Sequence, residues 1–143
     1  MSAVAHVEQL IAPARLRLVV PGILGERERV LRFVAGACRA HELPADVEDA
    51  LVSAVSEAFN HAVLDSYAAE SGTVTLALEL DGGRVVATLR DRGAGGSSGP
   101  GARRVERRYG LFIILRAMDE VRWFRDGDEN VVFMVKRLPG QNA

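Results

Sequence analysis

With 143 residues, 48% of them hydrophobic and 26% charged, the chain has the profile of one soluble globular domain with a real core and is too short for two domains of ordinary size. A formal net charge of -1 argues against nucleic-acid binding, which draws on a basic surplus or stripe. No segment approaches the roughly 18 apolar residues of a membrane span, Met1–Pro13 lacks the cationic start and apolar run of a signal peptide, and the single cysteine excludes an internal disulfide, so a reducing, cytoplasmic setting is expected.

In chain order, Leu16, Leu18 and Val20 alternate within Arg15–Val20 and predict a first strand, ended by Pro21-Gly22. From Leu24 to Glu42 the apolar residues Val30, Phe33, Val34, Ala37 and Cys38 recur at spacings of three and four, the mark of an amphipathic helix. Cys38 falls inside that pattern and reads as a small buried hydrophobe. Pro44 can open a second helix, with Asp46, Glu48 and Asp49 placed well against its dipole. That helix is expected to run to about Tyr67, burying Leu51, Ala54, Val55, Ala58 and Ala62.

At Gly72 the period changes to two. Val74, Leu76, Leu78 and Leu80 predict a half-buried strand, Asp81-Gly82-Gly83 a hairpin turn, and Val85, Ala87 and Leu89 the return strand. Asp91–Arg108 shifts to Gly, Ser, Pro and Arg, predicting a long mobile loop. A third helix over Tyr109–Met118 would bury Leu111, Ile114, Leu115 and Met118. Strands near Val121–Arg125 and Val131–Arg137, joined through Asp126-Gly127-Asp128, close the chain. This order describes an α+β two-layer sandwich, a mixed or antiparallel sheet with about three helices on one face.

Three clusters can carry chemistry. Glu57 and His61 lie one turn apart on the margin of the second helix's apolar stripe, with Ser53 and Asn60 further out. Such residues can line a cleft, but spacing alone favours an ordinary solvated helix edge. Asp91-Arg-Gly-Ala-Gly-Gly96 follows a strand directly, and its glycines permit close backbone approach to a ligand. Gly110 leads the third helix, whose free N–H groups make an anion site, behind Arg103, Arg104, Arg107 and Arg108. The three histidines, His6, His41 and His61, are scattered, and no Cys/His spacing for zinc occurs.

Taken together, these features resemble the GHKL ATPases and, within them, the anti-sigma-factor serine kinases of the RsbW/SpoIIAB family. Val55-Ser-Glu-Ala58 with Ala62 and Tyr67 matches that family's N box. Asp91-Arg-Gly93-Ala-Gly95 matches the first glycine box, and Tyr109-Gly-Leu-Phe-Ile-Ile114 with Met118-Asp-Glu-Val121 the second. The resemblance spans about residues 14–137, and implies a domain over 14–138 between an N-terminal arm (1–13) and a short tail (139–143). It implies the Bergerat ATPase fold, with ATP between helices and sheet under a lid. It implies Glu57 as general base toward a partner serine, Asp91 on the adenine amine, and Gly93, Gly95, Arg108, Gly110 and Leu111 around the nucleotide. The implied partners are a sigma factor and a STAS-domain antagonist, bound by a homodimer.

Three positions depart from the family pattern. His61 stands where the family has a Mg²⁺-binding asparagine, and the neighbouring Asn60 is about 100° round the helix. Arg108 replaces the first glycine of the second box, and Asn130-Val131 replaces the Gly-Thr of the last strand, removing a hydroxyl from the expected adenine pocket. Two readings follow: an ATP- and Mg²⁺-using serine kinase with a degenerate nucleotide site, or a non-catalytic relative that regulates by binding a sigma factor or STAS protein.

Overall fold

The alternating Val74, Leu76, Leu78 and Leu80 fall in strand β2 (Thr73–Gly82), where each is 1–2% exposed while the residues between them face away. The structure, a computed structural model, describes residues 11–66, 72–92 and 111–139. Strand β1 (Ile11–Pro21) begins before the alternation that predicts it. A 3₁₀ turn (Leu24–Glu26) leads into α1 (Arg27–Ala40), so the first helix opens later than its apolar pattern implies. Helix α2 (Ala45–Ser66) starts on the Pro44 carbonyl, which accepts from the N–H groups of Val47 and Glu48 at 3.0 Å. Strands β3 (Arg84–Asp91), β4 (Glu120–Asp126) and β5 (Glu129–Arg137) complete the sheet, and residues 111–117 form helix α3.

All pairings are antiparallel and the strand order is β1-β2-β3-β5-β4. Both tight hairpins are two-residue turns whose first residue, Gly82 or Gly127, holds φ near +65°, a conformation that costs glycine nothing. The edge strands β1 and β4 carry Arg15, Arg17, Arg122, Arg125 and Asp126, charges that discourage further strand pairing. The fold is therefore the α+β sandwich expected from the sequence, with an antiparallel sheet.

The core lies between the helices and one sheet face. Val30, Val34 and Cys38 of α1 and Leu51, Ala54, Val55, Ala58, Phe59 and Ala62 of α2 meet Val74, Leu76, Leu78 and Leu80 of β2, Ala87 and Leu89 of β3 and Met134 of β5. Each fully buried large side chain contributes about 1.5–3 kcal/mol. Ile114 and Met118 attach the α3 segment to this core, whereas Leu115 is 52% exposed beside exposed Phe112. The expected burial of Leu115 is thus corrected: a short helix over the end of a sheet buries a narrow stripe, and position 115 is turned about 100° beyond it. No described helix is long and apolar enough to cross a membrane.

Arg27 ties α1 to α2. Its Nε and Nη2 donate to the Oγ of Ser56, 6% exposed, at 3.0 and 2.6 Å. The predicted loop lies almost wholly outside the described residues, and with it Gly93, Gly95, Arg108 and Gly110.

Candidate functional site

Register decides what gathers at one end of the sheet. Val85, Ala87 and Leu89 face the helices, so Asp91, the last residue of β3, faces them too, and it is 5% exposed. Its cross-strand partners are Val74 on one side and Asn130 on the other, and Asn130 in turn pairs with Arg125. The side chains follow the register. Asn130 Nδ2 donates to Asp91 Oδ1 at 3.1 Å, and Arg125 Nη1 donates to Asn130 Oδ1 at 2.9 Å. A buried carboxylate, a half-buried amide and an exposed guanidinium thus form one row across three strands.

The same hairpin is pinned from the other sheet face. Arg90 Nη1 donates to Asp126 Oδ2 at 3.1 Å and to Glu129 Oε1 at 3.2 Å. Hydrogen bonding to Asp126 outweighs the desolvation of the guanidinium, and with Glu129 it holds Arg90 above its ordinary pKa. Val131 lies on that face, opposite Arg90 and Phe124 and apart from the helix-side core. Position 131 therefore offers nothing to a pocket on the helix side; Asn130 is the residue of that pair which faces it.

Helix α2 packs over β3 and β5. Glu57 and His61 on it are half-buried, and Ser56 is held from the α1 side by Arg27. Asn60 lines a cavity of about 640 Å³ with Leu24, Gly25, Arg27, Glu28 and Leu64, and its Oδ1 is buried without a hydrogen-bond partner. That places Asn60 on the rim toward α1. Leu111, half-buried, is the first described residue of α3. Burial, with the charge of Glu48 second, pushes the Cys38 thiol up to about 11, so it is no nucleophile near neutral pH.

The donor set fits part of a nucleotide. Asp91 accepts hydrogen bonds and suits an exocyclic amine, with Asn130 beside it as a donor. For Mg²⁺ the α2 margin offers one carboxylate, Glu57, and one imidazole, His61, a mixed set for a cation that prefers hard oxygens. Among the described residues no group of three or more His, Cys, Asp or Glu is arranged to hold a metal on its own.

A model of the histidine kinase-like ATPase domain matches residues 24–136. The chain belongs to that family. The matched span takes in both helices that cover the sheet and the Asp91–Asn130 row. Among solved structures, this ATPase domain is similar to the RsbU and RsbW domains of Rv1364c from Mycobacterium tuberculosis, with a TM-score of 0.70 and 20% sequence identity. The match covers 87% of this chain and 32% of that one, and at this identity it speaks for the fold alone. A search of curated proteins finds no match.

Glu57, Asp91 and His61 are on the helix and strand that the motifs assigned to them. The contacts of Asn130 with Asp91 and Arg125 are not visible from local pattern, because only the adjacency of β3, β5 and β4 brings these side chains together. A polar residue opening a strand that pairs with the Asp-bearing strand is the signal that finds them.

Proposed function

We propose that this ATPase domain is an RsbW-like ATP-binding anti-sigma factor and protein-serine kinase, acting in the cytoplasm as a homodimer on a STAS-domain antagonist. The observation that carries the reading is Asp91: a buried carboxylate on the helix-facing end of a strand, oriented by an amide donor, in a histidine kinase-like ATPase domain. Asp91 accepts from the base amine. Glu57, half-buried on α2, accepts the proton of the attacking serine hydroxyl. When bound, ATP supplies the transferable phosphoryl group, and Mg²⁺ neutralises its charge. Gly93, Gly95, Arg108, Gly110 and Leu111 are assigned to the nucleotide's surroundings by the family pattern.

Calorimetric titration of ATP, with and without Mg²⁺, tests the binding step. Asp91→Asn keeps the shape but turns an obligate acceptor into a group that also donates. Losing a charge-assisted hydrogen bond of about 1.5–3 kcal/mol should weaken ATP binding roughly tenfold or more. Equal affinity of wild type and Asp91→Asn would refute the site. The transfer step is tested by labelled phosphate passing to the serine of a STAS protein, and by its loss in Glu57→Gln.

His61 favours a second reading. An imidazole at the Mg²⁺ position suits a non-catalytic relative that acts by binding a sigma factor or STAS protein. Tight complex formation with no phosphoryl transfer would select it.

A further inference from the structure

We infer that Arg27 is a positioning residue for Glu57: by gripping Ser56 it fixes the rotational setting of α2, and with it the aim of the proposed base. The inference rests on the kinase reading above and deepens it, naming a residue on another helix through which the transfer step is set.

Arg27 is the first residue of α1, and its guanidinium reaches across to α2. Nε and Nη2 donate to Ser56 Oγ at 3.0 and 2.6 Å, and Ser56 is 6% exposed. Glu57 follows Ser56 directly and stands about 100° round the helix from it, half-buried. The two side chains turn together. With side chains reaching about 5–6 Å from the helix axis, a rotation of about 10° carries the Glu57 carboxylate about 1 Å. The same rotation moves Ser56 Oγ, nearer the axis, by roughly half that and strains a grip whose two donors come from one rigid fork.

Apolar packing alone does not hold that angle, because its contacts are non-directional. Beyond Ser56 the packing between α1 and α2 opens into the cavity of about 640 Å³ that Arg27 and Asn60 both line. Asn60 is one turn after Ser56 on the α1 side of α2, and its buried Oδ1 has no hydrogen-bond partner. Arg39 and Glu48, 3.3 Å apart, tie the two helices at their hairpin end, where Arg39 is largely exposed and the pair adds little. The turn of α2 that carries Glu57 is therefore registered against α1 by Arg27.

In the transfer step the serine oxygen gives its proton to Glu57 and bonds to the γ-phosphorus, while the bond to the bridging oxygen breaks and ADP leaves. A base acts within about 2.6–3.2 Å of the proton it takes, and a misplacement of about 1 Å costs up to roughly a hundredfold in rate. Arg27 acts through Ser56 and not on the nucleotide, so its loss falls on kcat and leaves KM for ATP alone.

The test measures phosphoryl transfer to the STAS protein of the assay above for wild type, Ser56→Ala, Arg27→Met and the double variant. Each variant should lower kcat roughly tenfold to a hundredfold with KM for ATP within about twofold of wild type, and the double variant should fall no further than the singles. Val86→Ala is the control for lost stability: Val86 is 3% exposed on the sheet face away from the helices, and its truncation should leave kcat at the wild-type value. Crystal structures of nucleotide-free wild type and Ser56→Ala should show the Glu57 carboxylate displaced by about 1 Å. An unmoved carboxylate, an unchanged kcat, or an equal loss in Val86→Ala overturns the inference and leaves the kinase reading intact. Absence of any transfer by wild type overturns both.

Discussion

Replacing Ser56 with alanine removes a single hydroxyl that one guanidinium grips twice. Arg27 Nε and Nη2 lie 3.0 and 2.6 Å from Ser56 Oγ, across 29 residues of chain, and Ser56 is 6% exposed. Hydrogen bonds to a charged group contribute about 1.5–3 kcal/mol when desolvated. Here the two share one acceptor, and the exposed Arg27 returns to water once its partner is gone, so the expected cost of Ser56→Ala is about 1–1.5 kcal/mol. The reverse deletion, Arg27→Ala, strands a buried oxygen and should cost at least as much, because an unsatisfied buried acceptor bears the full desolvation penalty. For a domain of this size the loss corresponds to a Tm drop of about 3–6 °C. Urea melts of wild type, both single variants and the double variant close a cycle whose coupling should be about 1 kcal/mol. Additive single effects, or a Ser56→Ala cost below about 0.3 kcal/mol, would refute the view that this contact joins α1 to α2.

Phe59, 0% exposed at the centre of α2's buried face, should cost about 3–5 kcal/mol on truncation to alanine, read as a large fall in the urea midpoint. The Cys38 thiol is raised to about 11, so both states are neutral below about pH 9 and the native state resists ionisation above it. Stability is then complete below about 9 and falls as pH climbs to about 11, by at most about 1.4 kcal/mol per pH unit, a slope that Cys38→Val should flatten in urea melts. His61→Asn returns an amide oxygen to the position that the family pattern assigns to Mg²⁺, and one gained ligand contact of about 1.4 kcal/mol would tighten Mg-ATP binding roughly tenfold by calorimetry. No change in a protein that already binds Mg-ATP at micromolar strength would show that imidazole serves the site as well as amide.

Strong local periodicity made most of the fold legible. The two-residue alternation of β2 and the three-and-four spacing of Leu51, Ala54, Val55, Ala58 and Ala62 each admit one burial pattern, and both faces are the buried ones. Boundaries were less legible: Ile11–Pro13 carries no alternation yet joins β1, because pairing with β2 extends past the hydrophobic signal. Leu115 satisfied the helical spacing but is exposed, since spacing names the residues that can share a stripe and the breadth of the partner surface decides how many do. The motifs placed Glu57 on a helix and Asp91 at a strand end, where the structure has them. The Asn130–Asp91 hydrogen bond was not legible, because it depends on which strand neighbours β3. That is a tertiary fact, and a local pattern holds no record of it. Ser56 was equally silent, its partner Arg27 being a turn and a helix away.

The adjacency of β3 and β5 also sets an order of assembly. β2 and β3 can close as a two-residue hairpin as they emerge during synthesis, but β1 must pair across the 52 residues between Pro21 and Thr73, and β5 across the 39 between Asp91 and Asn130. Non-local pairings of this kind come late, after the closure entropy of the intervening chain has been met. The carboxylate at Asp91 is therefore made well before the amide that meets it, and the Asp91–Asn130–Arg125 row exists only once the last strands have docked. A nascent chain that has completed its first hairpin already carries Asp91 but not the side chain that hydrogen-bonds it.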